Sequence, residues 1–238
     1  MGAGQKAWRA LTAQIREHGE WIGAEAAGAF ILANTILQPP PHVPEIQLYL
    51  AGEALPLWQK TEDELAEAGL PLPYWAFAWA GGQALARYVL DTSGLVAGKR
   101  VAVFAAGAGL EAIAAVIRGA ATVVATEIDP FARVALALNA RANGVVFSVS
   151  DMDLLTGDLP DTDVLLLGDV FFEQPMSGHV ADLAARFTAA GGLTLVGDPG
   201  RSYLPKDRME FLAEYQVPTT RALEDALVKQ TRVWRFVG

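Results

Sequence analysis

At 238 residues and 52% apolar, the chain has room for one large domain whose sheet is covered on both faces. It contains no cysteine, which excludes disulfides, thiolate zinc sites and cysteine nucleophiles, and its histidines, His18, His42 and His179, lack ligand spacing. A net charge of −9 speaks against a nucleic-acid binder and suits either a basic peptide or lysine substrate or an ordinary acidic enzyme.

Residues 5–36 are expected to be helical, with Trp8, Leu11, Ile15 and Ile22 at helical spacing and Gly19 or Gly23 placed to interrupt the run. Pro39-Pro40-Pro41 and Pro44 impose an extended link. A second helical patch is expected at 58–68, before the aromatic segment 71–83 and a helix over 83–90. The apolar stretch 69–86 is broken by Pro71, Pro73, Gly81 and Gly82, and 101–125 carries Glu111 and Arg118, so neither reads as a membrane span. The first residues lack a basic-then-apolar leader pattern, and a cytoplasmic address is expected.

Strands are expected at 100–105, 122–127, 145–149, 163–168 and 193–197, with helices at 109–118, 130–142 and 178–189. Their alternation, with nearly continuous apolar strands such as Val164-Leu165-Leu166-Leu167, predicts an α/β, doubly wound, Rossmann-like domain with a buried parallel sheet. Residues 210–216 and 228–237 are expected to add a terminal antiparallel pair, the second alternating along Thr231–Val237.

The run Val101–Phe104 leads into Ala105-Ala106-Gly107-Ala108-Gly109 and a helix, so bare backbone meets a ligand at a helix N-terminus. Glu127 closes the next strand about 20 residues on, a place for a carboxylate that holds two ribose hydroxyls. On the turn alone NAD and S-adenosylmethionine remain alternatives, because both carry an adenosine ribose. The later strand ends discriminate. The fourth runs out as Gly168-Asp169-Val170-Phe171-Phe172-Glu173 and the fifth as Gly197-Asp198-Pro199-Gly200-Arg201, with no tyrosine, lysine or histidine to serve hydride transfer. An acid followed by aromatic rings suits transfer of a sulfonium methyl to an amine, which needs in-line placement and a wall tolerant of positive charge. Structural accounts exist beside these: Trp75, Trp79, Phe171 and Phe172 as core, Asp129 as a helix cap, Asp151 and Asp198 as turn residues.

The segments Val43–Leu48, Tyr74–Tyr88, Glu127–Pro130, Gly168–Phe172 and Gly197–Arg201 resemble, in order and spacing, the seven-β-strand protein lysine methyltransferases. Within them the likeness is to the electron-transfer flavoprotein β-subunit lysine methyltransferases and their bacterial relatives, over roughly residues 29–238. The resemblance implies a seven-stranded class I methyltransferase sheet over 71–238 that binds S-adenosylmethionine and releases S-adenosylhomocysteine, behind an N-terminal helical cap and proline-rich link over 1–70. It implies that Gly107 and Gly109 lie under the methionine part of the cofactor, with Phe104 and Ile128 alongside. Glu127 would hold the ribose and Asp151 the adenine amino group. Asp169 would orient the lysine amine with Phe172 as its aromatic partner, and Trp75 and Trp79 would line the entrance. The implied reaction is direct displacement without a metal, on a protein substrate such as the flavoprotein β-subunit.

The resemblance breaks at Val103, where the family has an acid that contacts the cofactor's amino group, and at Ala105 and Ala108, where glycine and serine or cysteine are commonest. A lost charge-assisted hydrogen bond costs about 1.5–3 kcal/mol, roughly 10- to 150-fold in affinity. Glu111, just beyond the turn, is either a replacement acid or a first-turn acid favoured by the helix dipole. Three readings therefore stand: a protein lysine methyltransferase, a same-fold methyltransferase of another protein or a small amine, and a degenerate relative that binds a partner or cofactor without catalysis.

Overall fold

The computed structural model describes residues 23–52, 72–219 and 226–238. The helical patch expected at 58–68, and the part of the first expected helix before Gly23, lie outside the described residues. Helix α1 (Ala24–Asn34) follows Gly23, whose φ of 83° breaks the run, and ends where Asn34 and Thr35 turn back onto the carbonyls of Phe30 and Ile31. The expected proline link is instead the loop of an antiparallel ribbon, β1 (Ile36–Gln38) with β2 (Leu48–Leu50). This ribbon is a tertiary product, because the side-chain oxygens of Asn139 and Asn143 accept from the N–H groups of Tyr49 and Gln47.

Helix α2 (Ala80–Asp91) starts three residues earlier than expected. Gly81 and Gly82 belong to its first turn, since only a backbone without Cβ fits against the strand ends beneath it. The alternating unit then follows as read: β3 (Arg100–Phe104), α3 (Leu110–Ile117), β4 (Thr122–Thr126), α4 (Pro130–Ala142), β5 (Ser148–Ser150), β6 (Val164–Gly168), α5 (Met176–Ala189) and β7 (Leu193–Asp198). β5 is shorter than the strand expected at 145–149. The N–H of Val145 still closes the end of α4 on the Ala140 carbonyl, and Val145 and Phe147 pack on the core. The chain ends with β8 (Met209–Pro218) and β9 (Val228–Phe236), the expected antiparallel pair.

The strand order is β5-β4-β3-β6-β7-β9-β8, parallel from β5 to β7, with β9 antiparallel to both its neighbours. Alternation along the strands divides the core. Val101, Val103, Leu166 and Leu195 face one cluster with α2 and α3, whereas Ala102, Phe104, Leu165, Leu167 and Val196 join Val180, Leu183 and Phe187 of α5 on the other. β3 sits where the order reverses, so the crevice outside its carboxyl end is the topological switch point at which ligands bind such sheets.

Candidate active site

The crevice begins at the turn after β3. Ala105, Gly107 and Gly109 all take positive φ, at 47°, 51° and 85°, so the chain doubles back with its backbone bare. Ala105 does this with a side chain, which explains why glycine is the commoner residue there. Asn139 steadies the turn from behind, donating to the Ala108 carbonyl at 2.8 Å while fully buried.

Glu127 closes β4 as expected, and its carboxylate is fixed. Gly107 N–H donates to Oε2 and Asp129 N–H to Oε1, each at 3.0 Å. A carboxylate oxygen accepts more than one hydrogen bond, so ribose hydroxyls would add to these bonds without breaking them. Asp129 is the N-cap of α4, accepting from Phe131 N–H at 2.8 Å, and burial followed by the charge of Glu127 raises its pKa to about 6. Ile128 stands two-thirds exposed beside Glu127. Asp151 is exposed just after β5, with no hydrogen bond to its side chain among the described residues. Phe104 is different: its ring belongs to the core cluster on the α5 face, so only its backbone adjoins the turn.

Asp169, directly after β6, has a φ of 58° and is buried, and a non-glycine residue held there marks a site the surrounding structure imposes. Its Oδ2 accepts from Gly81 N–H at 2.9 Å, its Oδ1 from Arg201 Nε at 2.6 Å, and its own N–H donates to the Gly197 carbonyl. Gly81 and Arg201 were not singled out as its partners by sequence reasoning. Arg201 lies 32 residues away, and the only signal was its place in the quoted Gly-Asp-Pro-Gly-Arg run. Asp198, at the end of β7, accepts from Gly200 and Arg201 N–H through Oδ1. Burial, then the charge of Asp169, raises its pKa to about 6. Asp198 also borders a cavity of about 140 Å³ with Gly200, Lys206 and Trp234, which contains no residue of the glycine turn.

An aromatic group forms the rim. Tyr74 lies 5.9 Å from Trp79 and 5.6 Å from Phe172, ring to ring, and accepts from Trp79 Nε1 on its carbonyl. Arg201 sits 6.0 Å from the Trp79 ring. The structure thus joins Trp79, Phe172 and Asp169 into one neighbourhood, with Tyr74, unassigned by sequence reasoning, as the connecting ring. Trp75 does not join it through its ring, which stacks on Phe131 in the α1–α4 core; its backbone adjoins Gly107.

Glu111, in the first turn of α3, is 7% exposed. Its carboxylate fills the space where Gly82 of α2 and Gly168 of β6 have no Cβ, and no hydrogen bond from another described residue reaches it. Burial, and then the nearby Asp169, push its pKa up to about 7.

These residues fit S-adenosylmethionine: a bare turn at a helix start, a fixed acid at the end of β4, a buried carboxylate bonded by no other described residue and an aromatic rim. When bound, that group supplies an electrophilic sulfonium methyl. In such a site Glu127 would hold the adenosine, and Tyr74, Trp79 and Phe172 would wall the approach to the methyl group; Asp169 is held at the end of β6 by Gly81 N–H and Arg201.

No protein-family model matches the chain. Among curated proteins it is 35% identical, over 81% of its own length and 77% of the relative's, to the mouse (Mus musculus) electron transfer flavoprotein beta subunit lysine methyltransferase. It is 31% identical to the human (Homo sapiens) protein of that name over 98% and 87%. Among solved structures a candidate RNA methyltransferase from Pyrococcus horikoshii superposes with a TM-score of 0.50 at 16% identity, over 79% of this chain and 90% of that one, a likeness of fold alone. No helix among the described residues is long and apolar enough to cross a membrane. The chain is thus an S-adenosylmethionine-dependent methyltransferase and belongs to the electron-transfer flavoprotein β-subunit lysine methyltransferase family.

Proposed function

We propose that this chain transfers methyl groups to lysine side chains of a protein, with the electron-transfer flavoprotein β-subunit as the first substrate to test. The observation that carries the reading is Asp169. It is an acid buried at a strand end, locked by Gly81 N–H and the Arg201 guanidinium, and set beside a rim of Tyr74, Trp79 and Phe172. Aromatic faces attract a cationic ammonium and shed water from it as it approaches. Both oxygens of Asp169 are already engaged by Gly81 N–H and Arg201, so Asp169 orients the amine and the ammonium proton leaves to water. The names of the relatives point to the same substrate class.

The assay incubates purified protein with S-adenosylmethionine and recombinant flavoprotein β-subunit, and maps added methyl groups by mass spectrometry. Lysine-borne methylation that falls at least about 10²-fold in Asp169→Ala is expected, since misplacing a reacting group costs about that much. Parental rates in Asp169→Ala would remove Asp169 from the mechanism. Methylation of free amines but not of protein would favour the small-amine reading.

A further inference from the structure

The strand-end crevice holds four buried carboxylates, Glu111, Glu127, Asp169 and Asp198, beside the half-buried Asp129, and other described residues bond to all of them except Glu111. Glu127 accepts from Gly107 and Asp129, Asp129 from Phe131, Asp169 from Gly81 and Arg201, and Asp198 from Gly200 and Arg201. Glu111 accepts from no other described residue, although it is 7% exposed. A buried carboxylate bonded only by its own backbone N–H is costly, yet the fold makes room for this one. A Cβ on Gly168 would overlap Glu111 Oε1 and lie 3.0 Å from its Cδ, and a Cβ on Gly82 would lie 2.8 Å from Oε1. Two glycines on separate elements therefore keep a notch for this side chain.

The notch has a definite place. Val103 and Leu166 pair across β3 and β6 and face the same core cluster, so Gly168, two residues beyond Leu166, presents the same face nearer the carboxyl end. Glu111 thus brings a carboxylate to the face of the sheet where Val103 carries only methyl groups, roughly one residue pair (about 7 Å) closer to the crevice mouth.

We propose that Glu111 is the anion that receives the α-ammonium group of the methyl donor's methionine part. The proposal rests on the methyl-donor assignment and adds a residue to that site. An ammonium brings three N–H donors to a carboxylate held only by its own backbone N–H, whereas the sulfonium brings no donor. Of the two other acids of the neighbourhood, Asp169 is paired with Arg201, and Asp198 accepts two backbone N–H groups on Oδ1 while its Oδ2 has no partner among the described residues and the cavity it borders lies away from the glycine turn. Of the groups packed around Glu111, Asp169 from the end of β6 is the titratable one. Gly82 of α2 and Gly168 of β6 bring no charge, and Arg201 reaches Asp169. The empty site therefore takes up a proton at Glu111 more readily than a free carboxyl does, and a bound ammonium displaces it.

The test is calorimetric titration with S-adenosylhomocysteine, which keeps the ammonium and lacks the sulfonium, and with 5′-methylthioadenosine, which lacks the whole amino-acid part. Wild type and Glu111→Gln are compared at pH 6 and pH 8, in buffers of different ionisation enthalpy. Glu111→Gln is expected to weaken S-adenosylhomocysteine binding about 10- to 100-fold at pH 8 and to leave methylthioadenosine within about twofold. Wild type is expected to release up to about one proton on binding S-adenosylhomocysteine, and the variant none. If glutamine does not settle in the notch, as a lowered melting temperature would show, Glu111→Ala carries the same comparison. Equal losses for both nucleosides, or no loss for either, would overturn the assignment while leaving the methyl-donor site standing. A wild type that binds neither nucleoside would overturn both.

Discussion

Where α2 meets β7, the approach of two backbones makes a quantitative test. A Cβ on Gly197 would overlap the Gly81 carbonyl oxygen and lie 2.8 Å from Leu85 Cβ and 2.9 Å from the Gly81 carbonyl carbon. Carbon atoms pack at about 3.5 Å or more, so Gly197→Ala forces the start of α2 back by roughly 1 Å. Overpacking of this kind costs about 1–3 kcal/mol, and here the obstacle is main chain that has no rotamer to change. The same retreat stretches the 2.9 Å bond from Gly81 N–H to Asp169 Oδ2, a charged hydrogen bond that contributes about 1.5–3 kcal/mol. The variant should lose about 2.5–6 kcal/mol, which for a chain of this size lowers the melting temperature by roughly 5–20 °C. Where it is still folded, methyl transfer should fall about 10²-fold, because Asp169 has lost one of its two anchors. Gly28→Ala is the control: its Cβ would meet only Val134 Cγ1 at 3.8 Å inside α1, so it should stabilise by about 0.5–1 kcal/mol. A Gly197→Ala protein that melts within 2 °C of the parent and keeps its rate would refute the claim that this contact positions Asp169.

Ala105→Gly should raise the melting temperature by about 2–4 °C, because it relieves a left-handed φ of 47°; a lower melting temperature would show that the turn tolerates alanine without strain. The pKa of Glu111 lies above its unfolded value, so its favourable contribution is complete below about pH 4 and disappears as pH rises through about 7. Glu111→Gln should therefore gain on wild type by up to about 3 kcal/mol between pH 5 and pH 8 in urea unfolding, and a gap that does not change with pH would contradict the burial of a titrating acid there. Val103→Asp places a second acid in the core on the face Glu111 already occupies, so alone it should lower the melting temperature. In a Glu111→Gln background it should restore S-adenosylhomocysteine binding, and failure to do so would separate the two positions functionally.

What could be read along the chain and what could not differ in the distance over which each is decided. The parallel strands were legible because burial on both faces demands runs such as Val164–Leu167, and the place of Glu127 because it directly follows the strand after the glycine turn, where Gly107 N–H bonds it. The ribbon β1–β2 was not: Ile36 and Leu37 are exposed, and the N–H groups of Gln47 and Tyr49 are satisfied by side chains of α4, 90 or more residues on. Trp75 shows the limit for the site itself. A tryptophan before a glycine-rich helix start reads equally as a wall or as core, and its stacking on Phe131 is set by α4.

Glycine carries the same lesson furthest. Gly81 and Gly197 are required by each other, and Gly82 and Gly168 by Glu111, yet none sits in a turn or takes a positive φ that would mark it locally. Val103 and Glu111, read separately, look like a lost acid and an ordinary first-turn acid. With two glycines leaving room for it, Glu111 brings a carboxylate to the face of the sheet on which Val103 carries only methyl groups. That placement needs room as well as charge: a side chain in place of Gly168 would occupy the volume into which Glu111 must turn. The acid and its two glycines therefore pack as one unit in this chain.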